Sequence, residues 1–167
     1  MKISCQTTLF FDASALVAGS HSREGGSALL LEACQRGGFA AQSSFLVILE
    51  ALHAVRENLP RQSLNRLRDY LAGIDWRILP VPREEDLQKY SSFVQAKDVH
   101  VLAAAVEGGS EFLLTLDRRH LLAAAEAVEA AHLPIRILRP GDFIHLPESS
   151  SGTTASVRTT WDQVDTS

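Results

Sequence analysis

The sequence predicts a three-layer α/β/α sandwich built on a central, mostly parallel sheet. Three observations carry that expectation: short apolar runs alternate with helical segments, the runs are apolar at consecutive positions, and two of them close on an aspartate. A strand that is apolar on both faces belongs inside a sheet covered by helices on each side. With 167 residues, 46% hydrophobic and 22% charged, the chain suits one well-packed domain and argues against disorder throughout.

Thr8–Phe11 is the first apolar run, closed by Asp12, and residues 14–18 open a helical pattern. Gly25-Gly26 introduces a second helix over residues 27–34, which Gly37-Gly38 ends. Residues 39–41 form a short strand candidate. Ser43 and Ser44 are cap candidates for a helix carrying Phe45, Leu46, Leu49, Leu52, His53 and Arg56, stopped by Pro60. Leu64, Leu67, Tyr70 and Leu71 mark another helix, ended at Gly73. Residues 75–79 read as a strand with a rigid exit at Pro80 and Pro82, and Glu84-Glu85-Asp86 charges the first turn of the next helix favourably. A further helix starts at Lys97-Asp98 and ends at Gly108-Gly109. Residues 112–116 are a continuous apolar strand ending at Asp117, residues 118–131 an Ala- and Leu-rich helix, and residues 134–138 a last strand closed by Arg139-Pro140-Gly141. The domain therefore spans residues 1–147. Residues 148–167 are rich in Ser and Thr and read as a flexible tail with Trp161 as its candidate anchor.

No apolar run approaches the roughly 18 residues of a membrane span, and the first seven residues lack the pattern of a signal peptide. A cytoplasmic protein without membrane contact is expected. Cys5 and Cys34 are too few for a disulfide framework and lack zinc-site spacing. The net charge of −4 speaks against a protein that coats nucleic acid, while leaving room for a local basic rim.

Four acids interrupt otherwise apolar sequence: Asp12, Glu50, Asp98 and Asp117. Taken singly, each has an ordinary structural reading: Asp12 and Asp117 as turn residues, Asp98 as a helix cap, Glu50 as a solvated helix position. Glu50 fits its reading least well, because apolar residues flank it on both sides. If the four converge, each pair at about 5 Å and an effective dielectric near 20 costs roughly 3 kcal/mol. Several such pairs rival a total stability of about 5–15 kcal/mol, so a convergent site must take up protons or bind cations. Oxygen donors without Cys or grouped His favour Mg²⁺ or Mn²⁺.

Competing motifs carry less. Glu50-x-x-His53 is half of a di-iron signature, with no second copy on another segment. No dinucleotide, P-loop or His-Glu-x-x-His pattern is present. Ser14 and Ser44 lie outside a nucleophile elbow and suit helix capping better. Arg118, Arg119 and His120 either contact a phosphodiester or form a solvated helix start.

Phe11-Asp12-Ala13-Ser14, Leu49-Glu50-Ala51-Leu52, Asp98-Val99-His100-Val101-Leu102-Ala103-Ala104-Ala105 and Leu113-Leu114-Thr115-Leu116-Asp117 occur in this order. Together with Pro140-Gly141-Asp142-Phe143, they resemble the PIN-domain family, especially the VapC-like toxin ribonucleases of type II toxin–antitoxin pairs. Leu116 departs from the pattern, standing where many relatives carry a polar residue. The resemblance implies a ribonuclease whose Mg²⁺ or Mn²⁺ is held by Asp12, Asp98 and Asp117, with Glu50 as a ligand or an orienting group. It implies that Thr115 and Ser14 orient a carboxylate or water, and that Arg118 and Arg119 contact the RNA. A cognate antitoxin and a homodimer are the implied partners. The alternative is an inactive PIN-like module that docks a partner protein. A receiver-type regulator fits worse, since Asp12 stands alone and Pro140, not Lys, follows Arg139.

Overall fold

The computed structural model describes residues 3–147. The expected tail and Trp161 lie outside the described residues. The elements run β1 (Thr8–Phe11), α1 (Ala13–His21), α2 (Gly26–Gln35), β2 (Ala40–Ser44), α3 (Phe45–Asn58), α4 (Arg61–Gly73), β3 (Arg77–Leu79), α5 (Glu84–Tyr90), α6 (Val99–Glu107), β4 (Phe112–Leu114), a 3₁₀ turn (Leu122–Ala124), α7 (Ala125–Ala130), β5 (Arg136–Leu138) and α8 (Pro140–Ile144).

All four strand pairings among the described residues are parallel, in the order β3-β2-β1-β4-β5. The chain winds outward from β1 to β3, then returns to the other side of β1. Right-handed crossovers therefore put α1–α4 on one face and α5–α7 on the other. The packing agrees: α1 lies against α2, α3 and α4, α6 against β2 and β4, and α7 against β5. The direction of winding reverses between β1 and β4, and a ligand crevice opens there beyond the strands' carboxyl ends.

β1 and β4 are central because every side chain from Leu9 to Phe11 and from Phe112 to Leu114 is buried, as a strand covered on both faces requires. α6 rests closely on the sheet through small buried residues, Ala103, Ala104 and Ala105. It ends at Gly109, whose φ of +73° suits glycine. Ser44 caps α3 as expected, its hydroxyl accepting from Val47 N at 3.3 Å; it is also the last residue of β2, which runs three residues further than the sequence pattern suggested.

The last quarter departs most from expectation. Residues 118–131 do not form one helix: 118–121 are turns, a 3₁₀ turn follows, and α7 covers six residues. The Asp117 carboxylate holds the first of these turns, its Oδ1 accepting from the backbone amides of Arg119 (3.0 Å) and His120 (3.1 Å). Pro140-Gly141, taken as the end of a strand, instead starts α8, with proline in its first turn. α8 packs on α2 so closely that a Cβ on Gly26 would stand 2.8 Å from the Gly141 nitrogen.

Candidate active site

Asp12 follows β1 and Asp117 lies three residues past β4, so both sit at the crevice where the winding reverses. The backbone joins the two strand ends, Asp12 N donating to Leu114 O at 3.0 Å. Asp12 and Asp98 occupy the N-cap positions of α1 and α6, yet neither side chain bonds a helix amide. Capping therefore does not account for these two carboxylates.

A compact relay holds Asp12. Its Oδ2 accepts from Ser14 Oγ at 2.9 Å and from Thr115 Oγ1 at 2.8 Å. Each hydroxyl has one proton, and both are spent on Asp12. Their lone pairs accept in turn from backbone, Ser14 Oγ from Leu116 N at 2.9 Å and Thr115 Oγ1 from Asp117 N at 3.1 Å. The end of β1, the first turn of α1 and the segment after β4 are thus joined at one point. Leu116 takes part through its backbone amide, so its apolar side chain, 41% exposed, does not break the relay. Ser14 serves this relay and not a helix cap.

Asp98 and Asp117 meet across the crevice at His120. The His120 Nδ1 lies 2.8 Å from Asp117 Oδ2 and 3.8 Å from Asp98 Oδ2. One donor atom from each of these three residues falls within 4.8 Å of the others. Asp98 Oδ2 is sealed from solvent without a hydrogen-bond partner among the described residues. An unpaired buried carboxylate oxygen is costly, and a bound cation is what this donor set would satisfy. The residues present fit a divalent metal.

The acids differ electrostatically. Burial pushes the Asp98 carboxyl above its ordinary range, and the charges of Asp117 and Asp12 add to this against Lys97 and His120. Burial alone would also raise Asp117, but the His120 ring and the backbone amides of His120 and Arg119 hold it below the usual carboxylate range. Glu50, on α3, is raised by loss of surrounding water and then by Asp12 and Asp98, with His100 and Lys97 pulling the other way. It belongs to the same field and, like Asp12, stands outside the tight group of Asp98, Asp117 and His120. Arg118 and Arg119 are exposed on the turn after Asp117, at the rim of the crevice.

The raised carboxyls predict a pH dependence in metal-free protein. A group whose folded pKa is raised imposes no penalty at pH values where folded and unfolded forms are both protonated, and an increasing penalty as pH rises through the unfolded and then the folded value. Asp98→Asn is therefore expected to melt above wild type at pH 7 in EDTA, with the gap closing toward pH 4. Melting curves across that range check it, and an equal gap at both ends would contradict it.

His120 is the member of the tight group that sequence reasoning did not place among the metal donors. Its signal was present in Asp117-Arg118-Arg119-His120, where three residues of separation return a side chain to the aspartate only if the chain turns at once. His100 was also passed over: its Nδ1 is buried with no hydrogen-bond partner among the described residues, and its charge acts on Glu50.

Fold and crevice together define a doubly wound, all-parallel α/β protein among the described residues. Among solved structures the chain is similar to VapC20 of Mycobacterium tuberculosis, a sarcin-ricin loop cleaving toxin. The identity is 13% over 77% of this chain and 98% of that one, with a TM-score of 0.51. It is likewise similar to VapBC2 of Rickettsia felis, solved bound to a DNA fragment from their promoter, at 12% identity over 80% of this chain and 98% of that one, TM-score 0.52. The likeness is one of fold. No protein-family model matches the chain, and no curated protein matches it in sequence.

Proposed function

We propose that the chain is a Mg²⁺- or Mn²⁺-dependent ribonuclease that hydrolyses RNA phosphodiester bonds, acting as the toxin of a type II toxin–antitoxin pair. The observation that carries this reading is the junction of Asp98 and Asp117 beside Asp12 at the sheet's crevice, with a sealed Asp98 oxygen awaiting a cation. Asp12, Asp98 and Asp117 would hold the metal, and Glu50 would hold or orient from α3. Such an ion supplies Lewis acidity to a phosphoryl oxygen and a water acidified toward neutral pH. The chain's part is positioning: Ser14 and Thr115 fix the Asp12 carboxylate, the Asp117 turn fixes its own, and Arg118 and Arg119 offer cations to the backbone phosphates of the RNA. The working unit is residues 1–147.

The VapC neighbours support a cognate antitoxin as a partner. A groove of about 680 Å³ between α3 and α4, lined by Leu49, Leu52, His53, Arg56, Leu64 and Arg68, supports a protein partner or a second copy. No helix among the described residues is long and apolar enough to cross a membrane, in keeping with a cytoplasmic site of action.

The test is cleavage of a broad panel of structured RNAs by purified protein free of any partner. Cleavage that stops with EDTA and returns with Mn²⁺ or Mg²⁺ is expected, with Ca²⁺ supporting little turnover because its coordination is looser. Failure to cut any RNA in the presence of either metal would favour the alternative, a PIN-like module that docks a partner protein.

A further inference from the structure

Beyond the acids, we propose that His120 binds the site's cation directly through Nδ1, and that this nitrogen gives the site a preference for Mn²⁺ over Mg²⁺. The inference rests on the metal-dependent reading above and names the metal.

A proton on Nδ1 settles only part of the local account. It would serve Asp117 Oδ2 at 2.8 Å, while Asp98 Oδ2, at 3.8 Å, is near enough for a charge interaction but beyond hydrogen-bond reach. An ion placed among the three atoms satisfies all of them. Two donors on one ion, each bound at about 2.1 Å, stand roughly 3–4 Å apart; the ring nitrogen lies 2.8 Å from Asp117 Oδ2 and 3.8 Å from Asp98 Oδ2, and all three atoms fall within 4.8 Å of one another. The ring is also held where it is. His120 N is bonded to Asp117 Oδ1 at 3.1 Å, and its side chain is 18% exposed, against 14% for Asp98 and 26% for Asp117. A nitrogen so placed is part of the crevice wall.

The chemistry of the donors then selects the ion. Mg²⁺ takes oxygen ligands and keeps several waters, whereas Mn²⁺, though it too suits oxygen donors and is the weakest binder of the first-row divalent series, accepts an imidazole nitrogen more readily than Mg²⁺ does. Mn²⁺ accepts both carboxylate oxygen and imidazole nitrogen, so two carboxylates with one imidazole discriminate against Mg²⁺ in a way that an all-carboxylate site does not.

The experiment uses the full chain stripped of metal and titrated with MnCl₂ or MgCl₂ by calorimetry, followed by pulsed EPR of the Mn²⁺-loaded protein. Wild type is expected to bind Mn²⁺ at least about tenfold more tightly than Mg²⁺. Its spectrum should show a nitrogen coupling that changes on labelling with ¹⁵N-histidine. His120→Ala should lose that coupling and about 10–100-fold in Mn²⁺ affinity, with a smaller loss for Mg²⁺. His100→Ala should keep the coupling, which excludes the other nearby imidazole. The wild-type spectrum stands without any variant, so misfolding of His120→Ala would not rescue the idea. Mn²⁺ bound without nitrogen coupling, or a coupling lost in His100→Ala and kept in His120→Ala, overturns the His120 assignment and leaves the metal reading intact. Absence of Mn²⁺ and Mg²⁺ binding overturns both.

Discussion

Replacing Asp98 or Asp117 with Asn is expected to lower RNA cleavage by at least about 100-fold while the protein remains folded. Asparagine keeps the size of the side chain and its capacity to accept a hydrogen bond. At Asp98 it removes a charge that burial already disfavours, so the fold gains in the absence of metal and loses only its hold on a cation. At Asp117 the amide oxygen can still accept from Arg119 N and His120 N, which keeps the turn. A contaminating nuclease would be indifferent to both substitutions. Cleavage by either variant at the wild-type rate, in preparations shown by circular dichroism to be folded, would remove these carboxylates from the chemistry.

Phe143→Ala is expected to cost about 3–5 kcal/mol of stability, lowering Tm by roughly 6–20 °C for a domain of this size. Phe143 is fully buried on α8, with its ring edge-to-face against Phe112 (centroids 4.9 Å apart) and Phe39 (5.5 Å). It joins the closing helix both to central β4 and to the residue leading into β2. Truncation leaves a cavity between β4 and the entry to β2 that the flanking rings cannot both collapse to fill, and Phe143→Leu should recover a large part of the loss. Scanning calorimetry checks this, and a Tm within 2 °C of wild type would mean α8 is not part of the cooperative unit.

The difference between these two expectations follows what was readable in the chain. The Pro140-Gly141-Asp142-Phe143 motif is legible in the sequence, but the helix that carries it is not: five residues starting Pro-Gly have poor helical propensity, and α8 packs on α2 at Gly26. The expected helix from Arg118 had good propensity, yet residues 118–121 are turns and the helix begins only at Ala125. At α8 a tertiary contact outweighed local preferences of tenths of a kcal/mol.

By itself the sequence determined the alternation of strands and helices, the burial of β1 and β4 on both faces, and the placing of acids at strand and helix ends. These follow from neighbours in the chain, where periodicity and propensity act. The tertiary structure alone decided that β1 is the central strand with β4 beside it, and hence that Asp12 accepts a hydrogen bond from Thr115, 103 residues away. It also decided that His120 completes a group with Asp98 and Asp117 while Asp12 and Glu50 stand outside it. The reason is geometric: strand order and register bring distant segments together, and a shift of one residue in register would carry a side chain to the opposite face of the sheet.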